Sequence, residues 1–316
     1  MRTINRFFFP FLAVMAFSCD DILEEDITDD MVQIASPMNN SIIESNVVNF
    51  RWNTIGGADK YRIQVYGNNQ SMVVDTLVNP SSFAYPMRGG EYSWRIRGEN
   101  SAYQSSYSFP SNFKVIESDD LGNQQMILVR PLSASYLNTA DIVCIWETLN
   151  VAESYEFELI NQSTGTTYSK LDIASNSFTL PVTELALDAK YTWKVRARNA
   201  SSVTLYSSRD FWIDRVRPNQ PQNILPANNL RASANSQIDF SWTMPPDSGE
   251  VQSPIRSYTI EIARDSNFSS SQISNTANPS FQQIFTETGD YFWRIKATDA
   301  ANNTSTYSGA YKFTLN

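Results

Sequence analysis

The residues able to do chemistry in this chain are few. It has no histidine and two cysteines, Cys19 and Cys144. Without histidine the ordinary general base and the commonest metal ligand are both missing. Cys144 falls between Ile142 and Trp146 at an inward position of an apolar stretch. A thiol there is a small core hydrophobe, since burial raises its pKa and no imidazole is present to activate it. Asp119, Asp120 and Asn123 cluster in a polar hinge and offer oxygens to calcium, but their spacing follows no loop of defined ligand order, and solvated hinges share this composition. Asp299-Ala300-Ala301-Asn302-Asn303-Thr304 is a second such cluster, whose side chains are expected to cap their own turn. No carboxylate pair or activated hydroxyl stands out, so the chain is expected to be non-enzymatic and without cofactor or metal. The net charge of −9 argues against a nucleic-acid partner.

The remaining candidates depend on the elements that carry them. Tyr92-Ser93-Trp94-Arg95-Ile96-Arg97-Gly98 recurs as Tyr191-Thr192-Trp193-Lys194-Val195-Arg196-Ala197 and as Tyr291-Phe292-Trp293-Arg294-Ile295-Lys296-Ala297. Apolar or small residues alternate with mostly cationic ones, which is the period of a strand with one buried face. Each copy follows a strand ending in Trp (Trp52, Trp146, Trp242) and one led by Tyr (Tyr61, Tyr155, Tyr258). Each precedes a strand around Phe113, Phe211 or Phe313. Repeats of short alternating strands predict an all-β chain of tandem β-sandwiches.

The beginning of the chain reads differently. Arg2 and Arg6 flank the start of an apolar run, Phe7 to Phe17, too short to span a bilayer and shaped like a signal peptide. The junction Ala16-Phe17-Ser18-Cys19 resembles the lipobox of bacterial lipoproteins, although Ala16 stands where that family has Leu. The resemblance implies acylation of Cys19, removal of residues 1–18 and a lipid-anchored protein of the outer membrane; several acyl chains anchor stably where one is marginal. Next come Asp20, Asp21, Glu24, Glu25, Asp26, Asp29 and Asp30, with no base among them. Like charges repel and keep a segment extended, so residues 19–32 are expected to be an acidic tether. Acids directly after the cysteine also resemble the surface-export signal of Bacteroidota lipoproteins, which assigns Asp20, Asp21, Glu24, Glu25 and Asp26 to sorting.

Trp in the second strand, Tyr opening the third and Tyr-x-Trp-Arg/Lys-x-Arg/Lys-Ala/Gly in the sixth resemble the fibronectin type III domain. The resemblance implies modules at 33–117, 125–215 and 216–316, and tyrosine corners in which Tyr92, Tyr191 and Tyr291 bond nearby backbone. Ser36-Pro37, Arg130-Pro131 and Leu225-Pro226 mark equivalent places in the first strand of each. Segment 118–123 reads as a polar hinge and 215–219 as a shorter, stiffer one.

Within this frame the repeat separates fold from function. Tyr107, Tyr206 and Tyr307 recur before the last strand and are therefore structural. The outward cations of the sixth strand can bind acidic glycans, but Glu156, Glu158 and Glu261 on the neighbouring strand make cross-strand ion pairs the expected use. Tyr103 does not recur and sits among Ser and Asn, the composition of adaptable binding loops. Trp212, between Phe211 and Ile213, should face outward, to stack on a sugar or, preferably, to pack against the next module. The leading expectation is a non-enzymatic cell-surface lipoprotein that uses its modules for adhesion, scaffolding or partner binding. The alternative is a glycan-binding accessory of a polysaccharide-uptake system.

Overall fold

In the computed structural model, residues 24–79, 81–139, 141–244 and 248–316 are described. The alternating stretches form three two-sheet sandwiches. The first contains β1 (Gln33–Ser36), β2 (Ser41–Glu44), β3 (Val47–Asn53), β4 (Lys60–Gly67), β5 (Met72–Val78), β6 (Ser82–Pro86), β7 (Gly90–Glu99) and β8 (Ser111–Ile116). The second contains β9 (Leu128–Arg130), β10 (Ser135–Leu137), β11 (Val143–Trp146), β12 (Ser154–Asn161), β13 (Thr167–Ile173), β14 (Ser177–Thr179), β15 (Lys190–Arg198) and β16 (Ser207–Ile213). The third contains β17 (Gln222–Leu225), β18 (Leu230–Ala232), β19 (Gln237–Thr243), β20 (Ile255–Ala263), β21 (Ser271–Thr276), β22 (Ser280–Ile284), β23 (Gly289–Asp299) and β24 (Tyr311–Leu315).

Each sandwich has a three-stranded sheet, ordered β1-β3-β6, β14-β11-β9 or β17-β19-β22. The other sheet has five strands, ordered β2-β8-β7-β4-β5, β10-β16-β15-β12-β13 or β18-β24-β23-β20-β21. Ser36-Pro37, Arg130-Pro131 and Leu225-Pro226 are cis peptide bonds. In every sandwich this bond stands where the chain leaves the smaller sheet and crosses to the larger one.

The repeated motif lies at the centre of the larger sheet, as β7, β15 and β23. Its phase is the one the alternation predicts. Trp94 and Ile96, Trp193 and Val195, and Trp293 and Ile295 are buried, and the cations between them point outward. Across the core, Trp52, Trp146 and Trp242 pack on Tyr61, Tyr155 and Tyr258 with ring centroids 5.5, 5.4 and 5.3 Å apart. These edge or tilted contacts add to the burial of large aromatic surface. The tyrosine corners form as expected. Tyr92, Tyr191 and Tyr291 donate their hydroxyls to the carbonyls of Arg88, Leu187 and Glu287, each at 3.0 Å.

By Cα packing the first sandwich is one compact unit, while the second and third form another. No helix among the described residues is long and apolar enough to cross a membrane.

Candidate interaction surfaces

The outward cations of the central strands are built into the fold. Lys194 pairs with Glu158 at 2.5 Å, Arg196 with Glu156 at 2.6 Å and Arg294 with Glu261 at 2.6 Å. In the first sandwich Arg62 bridges Asp75 and Glu99, each at 2.9 Å, and Arg97 reaches Glu99 at 2.8 Å. The recurrent tyrosines lie beneath the same cations. Arg95 and Arg97 stand 4.2 and 4.8 Å from the Tyr107 ring, Arg196 4.7 Å from Tyr206, and Arg294 4.2 Å from Tyr307. A guanidinium held between a carboxylate and an aromatic face is already satisfied and makes a poor receptor for an acidic glycan. The electrostatics agree. The Lys194 ammonium holds Glu158 below the usual carboxylate range. Burial, followed by its hydrogen bond with Glu158, pushes the Tyr206 phenol up to about 12. Cys144 is buried and its thiol pKa is raised by that burial.

The loop pole where the chain enters each sandwich is occupied by the entering segment. Asn100 donates its amide to the carbonyls of Glu25 and Gly57, at 2.9 and 2.8 Å. Asn199 reaches the carbonyls of Asp119 and Val151, at 3.4 and 3.2 Å. Asn303 reaches the carbonyl of Asp214, at 2.9 Å. Each asparagine follows the central strand and its side-chain oxygen also caps its turn in the first two cases. The β3–β4 and β19–β20 loops make room for the same segments. Gly57, at φ +69°, leaves space that a Cβ would contest with Glu25 at 2.7 Å, and Gly249 lies against Val216. This arrangement was missed in the sequence, although an Asn one or two residues beyond the cationic strand recurs in the first two modules.

Two expectations change as a result. The acidic stretch is not an extended spacer as far as Val32: Ile27 is fully buried, Ser101 donates to the Glu24 carboxylate at 2.7 Å, and Ser106 donates its N–H to the Asp30 carbonyl. The hinge at 118–123 is likewise docked. Leu121 is fully buried in the core of the second sandwich, and Asp120 accepts from the Gly122 N–H as the cap of a short 3-10 turn, Leu121–Asn123. Cys19, Asp20 and Asp21 lie outside the described residues.

Tyr103 is partly exposed, in a turn whose backbone N–H is held by Asn100. It therefore stands at the pole that Glu24 and Glu25 cover. Trp212 faces outward as expected, and the ring it stacks on belongs to its own sandwich. It stacks on Tyr136 of the adjacent parallel strand, with centroids 5.1 Å apart, and carries Lys190 at 5.2 Å. The sequence signal for Tyr136 was weak because β10 is three residues long.

The junction after Trp212 is closed by polar contacts. Arg215 bonds Asp188 and the Leu185 carbonyl of the second sandwich. Asp214, fully buried, accepts from the N–H groups of Val216 and Ser253 at 3.1 and 3.2 Å. Asp299, also fully buried, accepts from the backbone and side chain of Asn303 at 2.8 and 3.0 Å. The Asp299–Asn303 stretch thus caps its own turn, as expected, and grips the linker as well. Among the described residues no group of three or more Asp, Glu, Cys or His is placed to hold a metal ion.

No protein-family model and no curated protein matches the chain in sequence. Solved structures do resemble it. The FN1–FN3 domains of chicken CNTN1 align at 15% identity over 90% of this chain and 97% of that one, with a TM-score of 0.46. The fibronectin(III)-like modules of Clostridium thermocellum CbhA align at 16% over 60% and 94%, with a TM-score of 0.41. The chicken interferon gamma receptor alpha chain aligns at 14% over 60% and 96%, with a TM-score of 0.26. The fold is all-β: three tandem sandwiches, each of one three-stranded and one five-stranded sheet.

Proposed function

We propose that this chain is a non-enzymatic lipoprotein, anchored through acylated Cys19, that presents its three sandwiches outside an outer membrane for adhesion, scaffolding or partner docking. Asp20 and Asp21 would act in sorting, together with Glu24, Glu25 and Asp26. The observation that carries this reading is the grip of Asn100, Asn199 and Asn303 on the segment entering each sandwich. A display protein needs its modules fixed to their spacers, and here the loop pole is used for that. Ligands are left the sheet faces and the opposite pole. Mass spectrometry of the mature N-terminal peptide tests the anchor: diacylglycerol on Cys19 is expected, and an unmodified peptide beginning elsewhere refutes it. Affinity capture from intact cells tests the docking role, with a stoichiometric extracellular partner as the expected result.

The second reading, a glycan-binding accessory of a polysaccharide-uptake system, is favoured by one observation: an open polar groove on the larger sheet of the first sandwich.

A further inference from the structure

The corner tyrosines give the three sandwiches a common register. Gly67 pairs with Tyr92 and Asn161 with Tyr191, and Arg264 follows Ala263, which pairs with Phe292. By the same register Glu91, Lys190 and Asp290 are equivalent, as are Asn112, Asp210 and Lys312, and Lys114, Trp212 and Thr314.

In the third sandwich these positions satisfy one another. Arg264 covers the Tyr291 ring at 4.1 Å and donates to the Thr288 carbonyl at 2.7 Å. Asp290 pairs with Lys312 at 2.7 Å and accepts from the Thr314 hydroxyl at 2.7 Å. The second sandwich closes the same face with other residues. Asn161 donates to the Tyr191 hydroxyl at 3.3 Å, Lys190 pairs with Asp210 at 2.8 Å, and Gln162 bonds Thr192 at 2.8 Å.

The first sandwich closes none of it. Gly67 has no side chain to lay over Tyr92, which stays half-buried where Tyr191 and Tyr291 are 0% and 7% exposed. Among the described residues the side chains of Glu91, Ser93, Asn112 and Lys114 form no hydrogen bond or ion pair with the rest of the chain. In their place is a groove of about 480 Å³ between the turns holding Asn40 and Asn68.

We propose that this groove binds a neutral saccharide. Glu91 and Lys114 are cross-strand partners of opposite sign, so the wall carries no net charge for an ionic ligand to neutralise. The amides of Asn40, Asn68 and Asn112 each offer donor and acceptor together, which is what vicinal hydroxyls require. Glu91 and Lys114 add charge-assisted bonds to the same hydroxyls, and the uncovered Tyr92 supplies an apolar floor for a sugar's C–H face. The proposal deepens the glycan-binding reading and is independent of the anchor at Cys19.

The test uses the full chain and two variants. Asn112→Lys with Lys114→Thr copies the third sandwich, giving Glu91 the partner that Asp290 has. Glu91→Ala removes the carboxylate and leaves the groove open. Ligand-observed NMR and calorimetry are run with a panel of neutral mono- to tetrasaccharides, with uronic- and sialic-acid oligosaccharides as the acidic arm. A neutral saccharide is expected to bind the natural chain, weakening about tenfold or more in each variant, as the loss of one or two ligand hydrogen bonds implies. Unchanged thermal melts show that the variants fold. Neutral saccharide binding that survives the closing variant would place glycan capture elsewhere and overturn the groove. Binding of only the acidic arm, or of nothing in the panel, would overturn the saccharide.

Discussion

Asn303 donates its side-chain amide to the main-chain carbonyl of Asp214, 2.9 Å away, and thereby ties the third sandwich to the last residue that leaves the second. The same amide bonds the Asp299 carboxylate at 3.0 Å, so one side chain satisfies two buried acceptors. Asn100 does the equivalent for the segment entering the first sandwich, holding Glu25 and Gly57 together. Buried acceptors of this kind are costly to strand, which makes the asparagine a fastener whose loss is felt beyond its own turn.

Asn303→Ala should therefore loosen the junction. It strands the buried Asp214 carbonyl and removes one of the two bonds that Asn303 gives the buried Asp299 carboxylate, a loss of about 2 kcal/mol. Limited proteolysis around Arg215 and Arg217 should accelerate, and the thermal transition should fall or split. Cleavage kinetics and a melt identical to the natural chain would show that Asn303 is dispensable to the joint.

Asp214 gives the junction a pH dependence of unusual sign. Burial raises its pKa above the ordinary aspartate value, with the Asp299 charge adding to it and the bonds from Ser253 and Val216 opposing. A carboxyl whose folded pKa is raised holds its proton longer in the folded state, so its contribution is present below the unfolded pKa and is lost as pH rises through the folded one. Asp75 and Glu158 behave oppositely: hydrogen bonds from Arg62 and Lys194 lower them, and their contribution is lost as pH falls. Subtracting the stability of Asp214→Asn from that of the natural chain cancels those terms. The difference should decline between about pH 4 and neutrality; a difference that grows with pH would mean that the hydrogen bonds outweigh burial.

Trp293→Ala should cost about 3–5 kcal/mol, since it empties a fully buried aromatic site. Trp212→Ala should cost clearly less, because the ring stands on the outer face against Tyr136. Equal losses in chemical denaturation would contradict the strand phase of β16.

That contrast marks how far the sequence could be followed. The period of two fixed the phase of β7, β15 and β23, and the recurring Tyr-x-Trp located the corners, because each of these depends on residues near in sequence. The partner of Trp212 depends on a parallel pairing of β10 with β16. Its strand is three residues long and too short to show a period. The docking of Ile27 was hidden for a related reason: one apolar side chain among acids has no pattern, and only the space above Gly57 gives it a place. The groove of the first sandwich was likewise invisible until register showed which positions the other two sandwiches fill.

Ile27→Ala tests whether the acidic segment is docked. Burial of an isoleucine at a folded boundary predicts a loss of about 2 kcal/mol or more in the first sandwich. Denaturation followed by a probe in that sandwich should report it. A variant as stable as the natural chain would return the segment to the role of a free spacer.

The proposed surface display can be tested by separating the acids that the fold uses from those assigned to sorting. Glu24 accepts from Ser101, and Asp26 accepts from the Thr28 hydroxyl and N–H, which lower its pKa in that order. These two have local structural work, whereas Asp20 and Asp21 precede the docked segment. The four residues between Cys19 and Glu24 would serve as a spacer equally well with Ser or Gly, which is why the proposed function gives the charge beside Cys19 a sorting role. The measurement is protease shaving of intact cells, comparing the natural chain with Asp20 and Asp21 both changed to Ser, and with Glu24, Glu25 and Asp26 all changed to Ser. The natural chain should be cleaved. The first variant should be protected at similar abundance, and the second should be protected only in part, with a lower melting temperature for the first sandwich. Protection of the natural chain until the outer membrane is breached would place the protein on the periplasmic side and remove the main support for adhesion.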